Sequence, residues 1–139
     1  MLTGLYLEFW ESFRDFCLKQ REGLKLRKPR ARHYYDLSIG RSKFSLVLKI
    51  SAMRKWIACE IYLQGRNAKQ AFKLLERDKA SIESKTGPLV WMELPSKQDC
   101  RIVKFREQID IEDRDQWPDA FAWLSQQARL FFETFSGPI

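Results

Sequence analysis

The sequence predicts an α+β domain, a two-layer sandwich in which one antiparallel sheet carries helices on one face. Three observations predict it. Residues 34–63 contain three runs that alternate apolar and polar side chains, joined by turns too short for parallel neighbours. Segments near the two ends of the chain instead repeat their apolar residues every three or four positions, as helices do. A third helical segment separates the meander from two further strands, giving the order α-β-β-β-α-β-β-α. At 139 residues the chain is expected to form a single domain over residues 1–139, with a core that needs no metal or disulfide.

The first helix is expected over residues 4–20. Leu5, Phe9, Phe13 and Phe16 recur on one face, Glu8, Glu11, Arg14, Asp15 and Lys19 fall opposite, and Tyr6 and Trp10 widen the apolar stripe. Thr3 is placed to cap it and the helix should fade before Gly23. Tyr35, Leu37 and Ile39 alternate with Tyr34, Asp36 and Ser38, and a tight turn follows at Gly40-Arg41-Ser42. Phe44, Leu46, Leu48 and Ile50 form the next alternating run, then Ser51 to Lys55 a turn, then Ile57, Cys59, Ile61 and Leu63 a third strand. Asn67 is a natural cap for a helix to about Lys85, with Ala68, Ala71, Phe72, Leu75 and Ile82 on one face and Thr86-Gly87-Pro88 as its stop. Residues 89–94 and 101–106 read as two strands around a PSKQD turn. An acidic loop with Glu107, Asp110, Glu112, Asp113, Asp115 and Asp119 leads to Pro118 in the first turn of a last helix. That helix buries Phe121, Leu124, Ala128, Phe131 and Phe135 before Ser136-Gly137-Pro138.

Composition narrows the function. Five Trp and ten Phe exclude a disordered chain. Cys17, Cys59 and Cys100 are isolated, which fits reduced thiols and a cytoplasmic location rather than a disulfide framework. His33 is the only histidine, so a mixed Cys/His zinc site is not expected, and no motif calls for a cofactor or metal. The N-terminal segment carries Glu8 and Glu11 without a basic start, so no signal peptide is expected, and no apolar run is long enough to span a membrane.

Charge is unevenly placed. Residues 1–56 hold thirteen Lys/Arg and five Asp/Glu, an excess of eight, whereas residues 57–139 hold twelve and thirteen. The excess concentrates in LKLRKPRARHYYDLSIGRSKF, residues 24–44, where Lys25, Arg27, Lys28, Arg30 and Arg32 form a basic arm with no acid between them. Pro29 favours an extended arm. Such an arm suits a polyanion, because cations that neutralise phosphates release counterions. Tyr34 and Tyr35 offer rings for base stacking, and Arg41 and Lys43 extend the patch if they project the same way. The bland alternative is that Leu24 and Leu26 pack down while the cations merely solvate a connection.

Catalysis has little support. The chain lacks a GxSxG, HExxH, Walker or Gly-rich dinucleotide motif, and any Ser-His or Cys-His pair would have to be built on His33. A divergent metal-dependent nuclease would place Asp36 and Glu60 on neighbouring strands. However, Tyr62 stands where such centres put Lys, and Glu60 reads as a solvated acid on an exposed sheet face. The acidic loop lacks the Gly and terminal Glu of an EF-hand and is expected to favour the last helix's dipole or pair with the basic arm.

KLRKPRARHYYDLSIGRSKF, CEIYL, LPSKQDCRI and DRDQWPDAFAWL together resemble an uncharacterised bacterial and archaeal domain family. In that family a Pro-Arg segment leads into an aromatic-aromatic-Asp strand and a Ser-Ile-Gly-Arg-Ser turn, and the resemblance covers essentially the whole chain. Its members often follow a restriction-endonuclease-like domain, which implies DNA-related or defence biology without catalytic residues to carry over. The chain starts at the module itself, as expected of a stand-alone form or an excised fragment. The leading expectation is a non-enzymatic accessory module that binds DNA or RNA through Lys25, Arg27, Lys28, Arg30, Arg32, Tyr34, Arg41 and Lys43. The alternative is a protein-interaction or homodimerisation module that uses the aromatic faces of the first and last helices, with a nuclease-like domain among its possible partners.

Overall fold

The computed structural model describes residues 2–20, 24–40 and 43–136. Its elements follow the expected order, with one helix divided in two: α1 Leu2–Gln20, β1 Tyr34–Ser38, β2 Phe44–Ser51, β3 Trp56–Leu63, α2 Ala68–Arg77, α3 Lys79–Thr86, β4 Val90–Met92, β5 Cys100–Glu107, a 3-10 turn Arg114–Gln116 and α4 Trp117–Phe135. The sheet has the order β1-β2-β3-β5-β4, and each described pair is antiparallel. The chain leaves β3, crosses through α2 and α3, lays down β4 at the edge and returns through β5 to close the gap.

Register explains the core. Leu37, Leu46, Ile61 and Ile102 occupy one row across four strands, and Tyr35, Leu48 and Cys59 occupy the next row on the same face. The helices pack on this face, joining Phe9, Trp10, Phe13, Phe72, Ile82, Phe121 and Phe131 to these rows in a single apolar cluster. Phe9 meets Trp10 and Phe121 edge-on at centroid separations of 5.1 and 4.9 Å, a geometry worth about 0.5–1.5 kcal/mol per pair beyond area burial. Lys104 continues the Cys59 row on this apolar side. Its ammonium donates to the Thr86 carbonyl at 2.6 Å and to Gln127 Oε1 at 3.1 Å, so the charge caps the end of α3.

The opposite face carries Tyr34, Lys49, Ala58 and Phe105 in one row, Asp36, Val47, Glu60 and Val103 in the next, and Ser38, Ser45, Tyr62 and Arg101 in a third. Ala58, Glu60 and Val103 are nevertheless buried, and Glu60 is flanked by Lys49 and Arg101 from the neighbouring rows.

Several local expectations change. The middle helix breaks at Asp78, whose backbone N–H turns back to the Leu75 carbonyl at 3.0 Å; Ile82 and Thr86 then reach the core from a separate helix. Asn67 stands at the cap position of α2, but its side chain makes no capping hydrogen bond. Thr3 lies inside the exposed first turn of α1 rather than before it. The strand at 89–94 shortens to three residues, and just past it Leu94 adopts a left-handed φ of 53°. Asp119 pairs with Arg106, and Arg114 of the loop pairs with Glu8 of α1; among the described residues no acid of 107–119 forms an ion pair with the arm. Asp113 instead caps the 3-10 turn by accepting from the Asp115 N–H. The expected terminators at Gly23 and Gly137-Pro138, and the turn residues Arg41 and Ser42, lie outside the described residues.

Candidate nucleic-acid interface

Alternation organises the basic arm. Leu24 and Leu26 are half-buried against the core, while Lys25, Arg27, Lys28, Arg30 and Arg32 are exposed. The arm runs back along β1: Leu24 and Lys25 line one cavity with Ser38 and Gly40, Arg27 pairs with Asp36, and Arg32 packs against Tyr34. Three contacts anchor it, each using a main-chain carbonyl as acceptor. The Tyr35 hydroxyl donates to the Arg27 carbonyl, the Trp10 indole N–H donates to the Arg32 carbonyl at 2.8 Å, and the Ile50 N–H donates to His33 at 2.9 Å.

Arg27, Lys28, Arg30, Arg32, Tyr34 and Asp36 line one open cavity of about 290 Å³. Among the described residues Asp36 is the one acid in ion-pair contact with the arm, 3.2 Å from Arg27. Both partners are well exposed, so the pair is worth at most about 1 kcal/mol. The Arg32 guanidinium sits 5.5 Å from the Tyr34 ring centroid and donates to the Tyr34 hydroxyl at 3.1 Å.

Other candidates fall elsewhere. Lys25 faces a second cavity of about 680 Å³ between the arm and α4, lined also by Leu26, Leu37 and Phe132. Lys43 has a φ of 72°, accepts from the Gln64 N–H and packs its stem over Gly65, at the connection between β3 and α2. Arg41 lies outside the described residues. Tyr35 is 5% exposed and turned into the core, and burial pushes its hydroxyl up to about 12, so Tyr34 is the ring that faces outward.

Beside the arm, on the uncovered sheet face, lies a cleft of about 410 Å³ that the sequence did not single out. His33, Tyr34, Lys49, Glu60, Tyr62 and Arg101 contribute to its walls. Glu60 is 2% exposed, which overturns its reading as a solvated acid. Its Oε1 lies 3.1 Å from the Lys49 ammonium and its Oε2 3.6 Å from Arg101. Burial and the Lys49 and Arg101 charges lower the pKa of His33, leaving a neutral imidazole at neutral pH. Asp36 and Glu60 do share a row, but β2 stands between their strands at Val47, so their backbones are about 10 Å apart and not on adjacent strands. Among the described residues no three His, Cys, Asp or Glu side chains converge on a metal-sized site. A signal for the cleft was present: alternation puts Lys49 and Glu60 on the same face of adjacent strands, where opposite charges attract.

Fold and site together define a small α+β domain with a five-stranded antiparallel sheet and a cationic arm laid along its first edge. The chain belongs to the family described as Domain of unknown function (DUF4268), which it matches over residues 5–139. No curated protein and no solved structure matches it. No described helix is long and apolar enough to cross a membrane.

Proposed function

We propose that this domain is a non-enzymatic accessory module that binds nucleic acid through its basic arm. One observation carries the reading: Arg27, Lys28, Arg30 and Arg32 surround a single cavity beside the outward Tyr34 ring, and among the described residues Asp36 is the one acid in ion-pair contact. Cations grouped at this density attract a chain of phosphates, and an adjacent ring adds stacking. An arm of this kind supplies affinity and no bond-breaking chemistry; the resemblance to a family whose members often follow a restriction-endonuclease-like domain is what suggests a nuclease-like protein partner in a DNA-related or defence system. The three buried cysteines, none of them in a disulfide, suit the reducing cytoplasm where such a system works.

Fluorescence anisotropy with labelled single-stranded DNA, duplex DNA and RNA tests the reading. Four phosphate contacts predict a single-strand affinity that falls on the order of fiftyfold between about 50 and 200 mM salt. Reversing Arg27, Lys28 and Arg30 to Glu should abolish binding and leave the thermal midpoint nearly unchanged, because these side chains are exposed. A triple variant that binds like the parent removes the arm from the site.

A second reading rests on the cavity between the arm and α4, whose apolar lining includes Leu24, Leu26, Leu37 and the exposed Phe132. It makes this flank a self-association or protein-binding surface. The larger aromatic faces of α1 and α4 are committed inward, since Phe9, Trp10, Phe13 and Phe131 are fully buried. Sedimentation of a clean monomer over a wide concentration range would count against self-association.

A further inference from the structure

The cleft on the uncovered sheet face is built more carefully than a gap between surface side chains requires. Glu60 is buried at its base and holds Lys49 and Arg101 as a pair of cations. The Arg101 guanidinium sits over the Tyr62 ring, 5.0 Å from its centroid, and the Tyr62 hydroxyl is fixed by donating to Asp99. Asp99 also accepts from the Gly65 N–H at 3.2 Å, so the platform is tied to the backbone. The second observation is Glu60 itself. Its Oε1 is enclosed, makes no hydrogen bond and lies 3.1 Å from the Lys49 ammonium, so its charge serves to hold the two cations at the cleft wall.

These features select a ligand. A simple anion satisfies the two cations but leaves the Tyr62 ring beside them unused. A nucleotide uses both, a phosphate for Lys49 and Arg101 and a base for the ring. The Tyr62 ring, with Arg101 against it, adds a planar surface on which a base can stack. Tyr34, with Arg32 against its ring, makes a similar surface at the arm end of the same cleft. The register puts Tyr34 and Tyr62 two strands apart and four residues along, about 16 Å between their backbones, a span that a few nucleotides bridge. Bases in a duplex have their faces buried in the stack, so only an unpaired strand fits both surfaces.

We propose that the cleft formed by Lys49, Glu60, Tyr62 and Arg101 is a second station of the arm's site, and that it makes the ligand single-stranded nucleic acid laid diagonally across the open sheet face. This rests on the nucleic-acid reading of the arm and goes beyond it by fixing the strand state and the path. Twelve-nucleotide thymidine and uridine oligomers and a mixed-sequence duplex, read by anisotropy, test it. Single strands should bind more tightly than the duplex. Tyr62→Leu should weaken single-strand binding on the order of tenfold with the salt slope unchanged, because a stacking contact and no phosphate contact is lost. Tyr62→Phe, which keeps the ring, should bind within about twofold of the parent. Cross-linking the parent to a 5-bromouridine strand, which needs no variant to fold, should label β3 or β5 near Tyr62 as well as the arm. If Tyr62→Leu binds single strands like the parent, or cross-links are confined to residues 24–34, the cleft is not part of the path and the arm reading stands without it. If the parent binds no nucleic acid at low salt, both fall.

Discussion

Replacing Glu60 with Gln isolates what holds the uncovered face of the sheet together. The substitution keeps the shape and removes the charge that Lys49 and Arg101 share. At 3.1 Å and an effective dielectric of about 20, the Lys49 pair alone represents about 5 kcal/mol of gross Coulomb energy. Desolvation offsets much of that, and breaking a fully buried pair typically costs about 3–5 kcal/mol. The Lys49 side chain keeps 17% of its exposure and Arg101 keeps 35%, so water partly compensates both and a loss of about 2–3 kcal/mol is expected. With an unfolding entropy of about 2.1 cal/mol/K per residue, that lowers the thermal midpoint by about 7–10 °C. Urea unfolding at neutral pH, with calorimetry for the midpoint, measures both quantities. A companion double variant, Lys49→Met with Glu60→Leu, removes both charges at similar volume and should stay within about 1 kcal/mol of the parent. A Glu60→Gln midpoint within about 2 °C of the parent would show that the pair contributes nothing and refute the reasoning.

Three further outcomes follow from contacts on the core side. Trp10→Phe removes the indole N–H that holds the Arg32 carbonyl and shrinks a fully buried ring; urea unfolding should show a loss of about 2–3 kcal/mol. Tyr35 sets a pH dependence. Its folded-state pKa, pushed up to about 12 from 10.0, means the unfolded chain releases this proton first. The stability it contributes is complete below about pH 10 and is lost as the pH rises toward about 12. Tyr35→Phe has no such proton, so its stability should fall less steeply over that window, by up to about 2–3 kcal/mol relative to the parent in paired denaturant titrations. Lys104→Met keeps the aliphatic stem but leaves the Thr86 carbonyl and Gln127 without their donor; a loss of about 1–3 kcal/mol by chemical denaturation is expected.

The parts of this fold that were legible in the sequence are those written in local periodicity. Leu46, Leu48 and Ile50 alternate because one face of β2 is buried, and Phe121, Leu124, Ala128, Phe131 and Phe135 follow the turn of α4; all are buried as their spacing implies. The sheet order was not legible, because the pairing of β5 between β3 and β4 is a non-local choice that neither strand's own pattern encodes. β5 was legible as a strand over 101–106, but the place of Lys104 on the apolar side was not, because the carbonyl that satisfies its charge comes from α3. Glu60 could be assigned a face but not a degree of burial, which depends on how the long side chains of adjacent strands lie. The arm's charges were plain in the sequence, whereas its anchors were not, because the acceptors are main-chain carbonyls that any residue carries.

Those anchors bear directly on function. A cationic segment held by its own charges would have to choose between stability and ligand, since each phosphate bound would displace an internal carboxylate. Here the attachment is neutral: Trp10 and Tyr35 donate to backbone carbonyls, and Leu24 and Leu26 pack against the core. Arg27 alone has an acid in ion-pair contact among the described arm residues, and that contact is exposed and weak. The arm also lies along the outer edge of β1, where Lys, Arg and Pro29 discourage another chain from adding as a strand. One extended segment therefore protects the sheet edge through its backbone and apolar residues while its cations stay available. This is why charge reversal in the arm and removal of the Trp10 donor should separate: the first abolishes binding at constant stability, and the second lowers stability at constant charge.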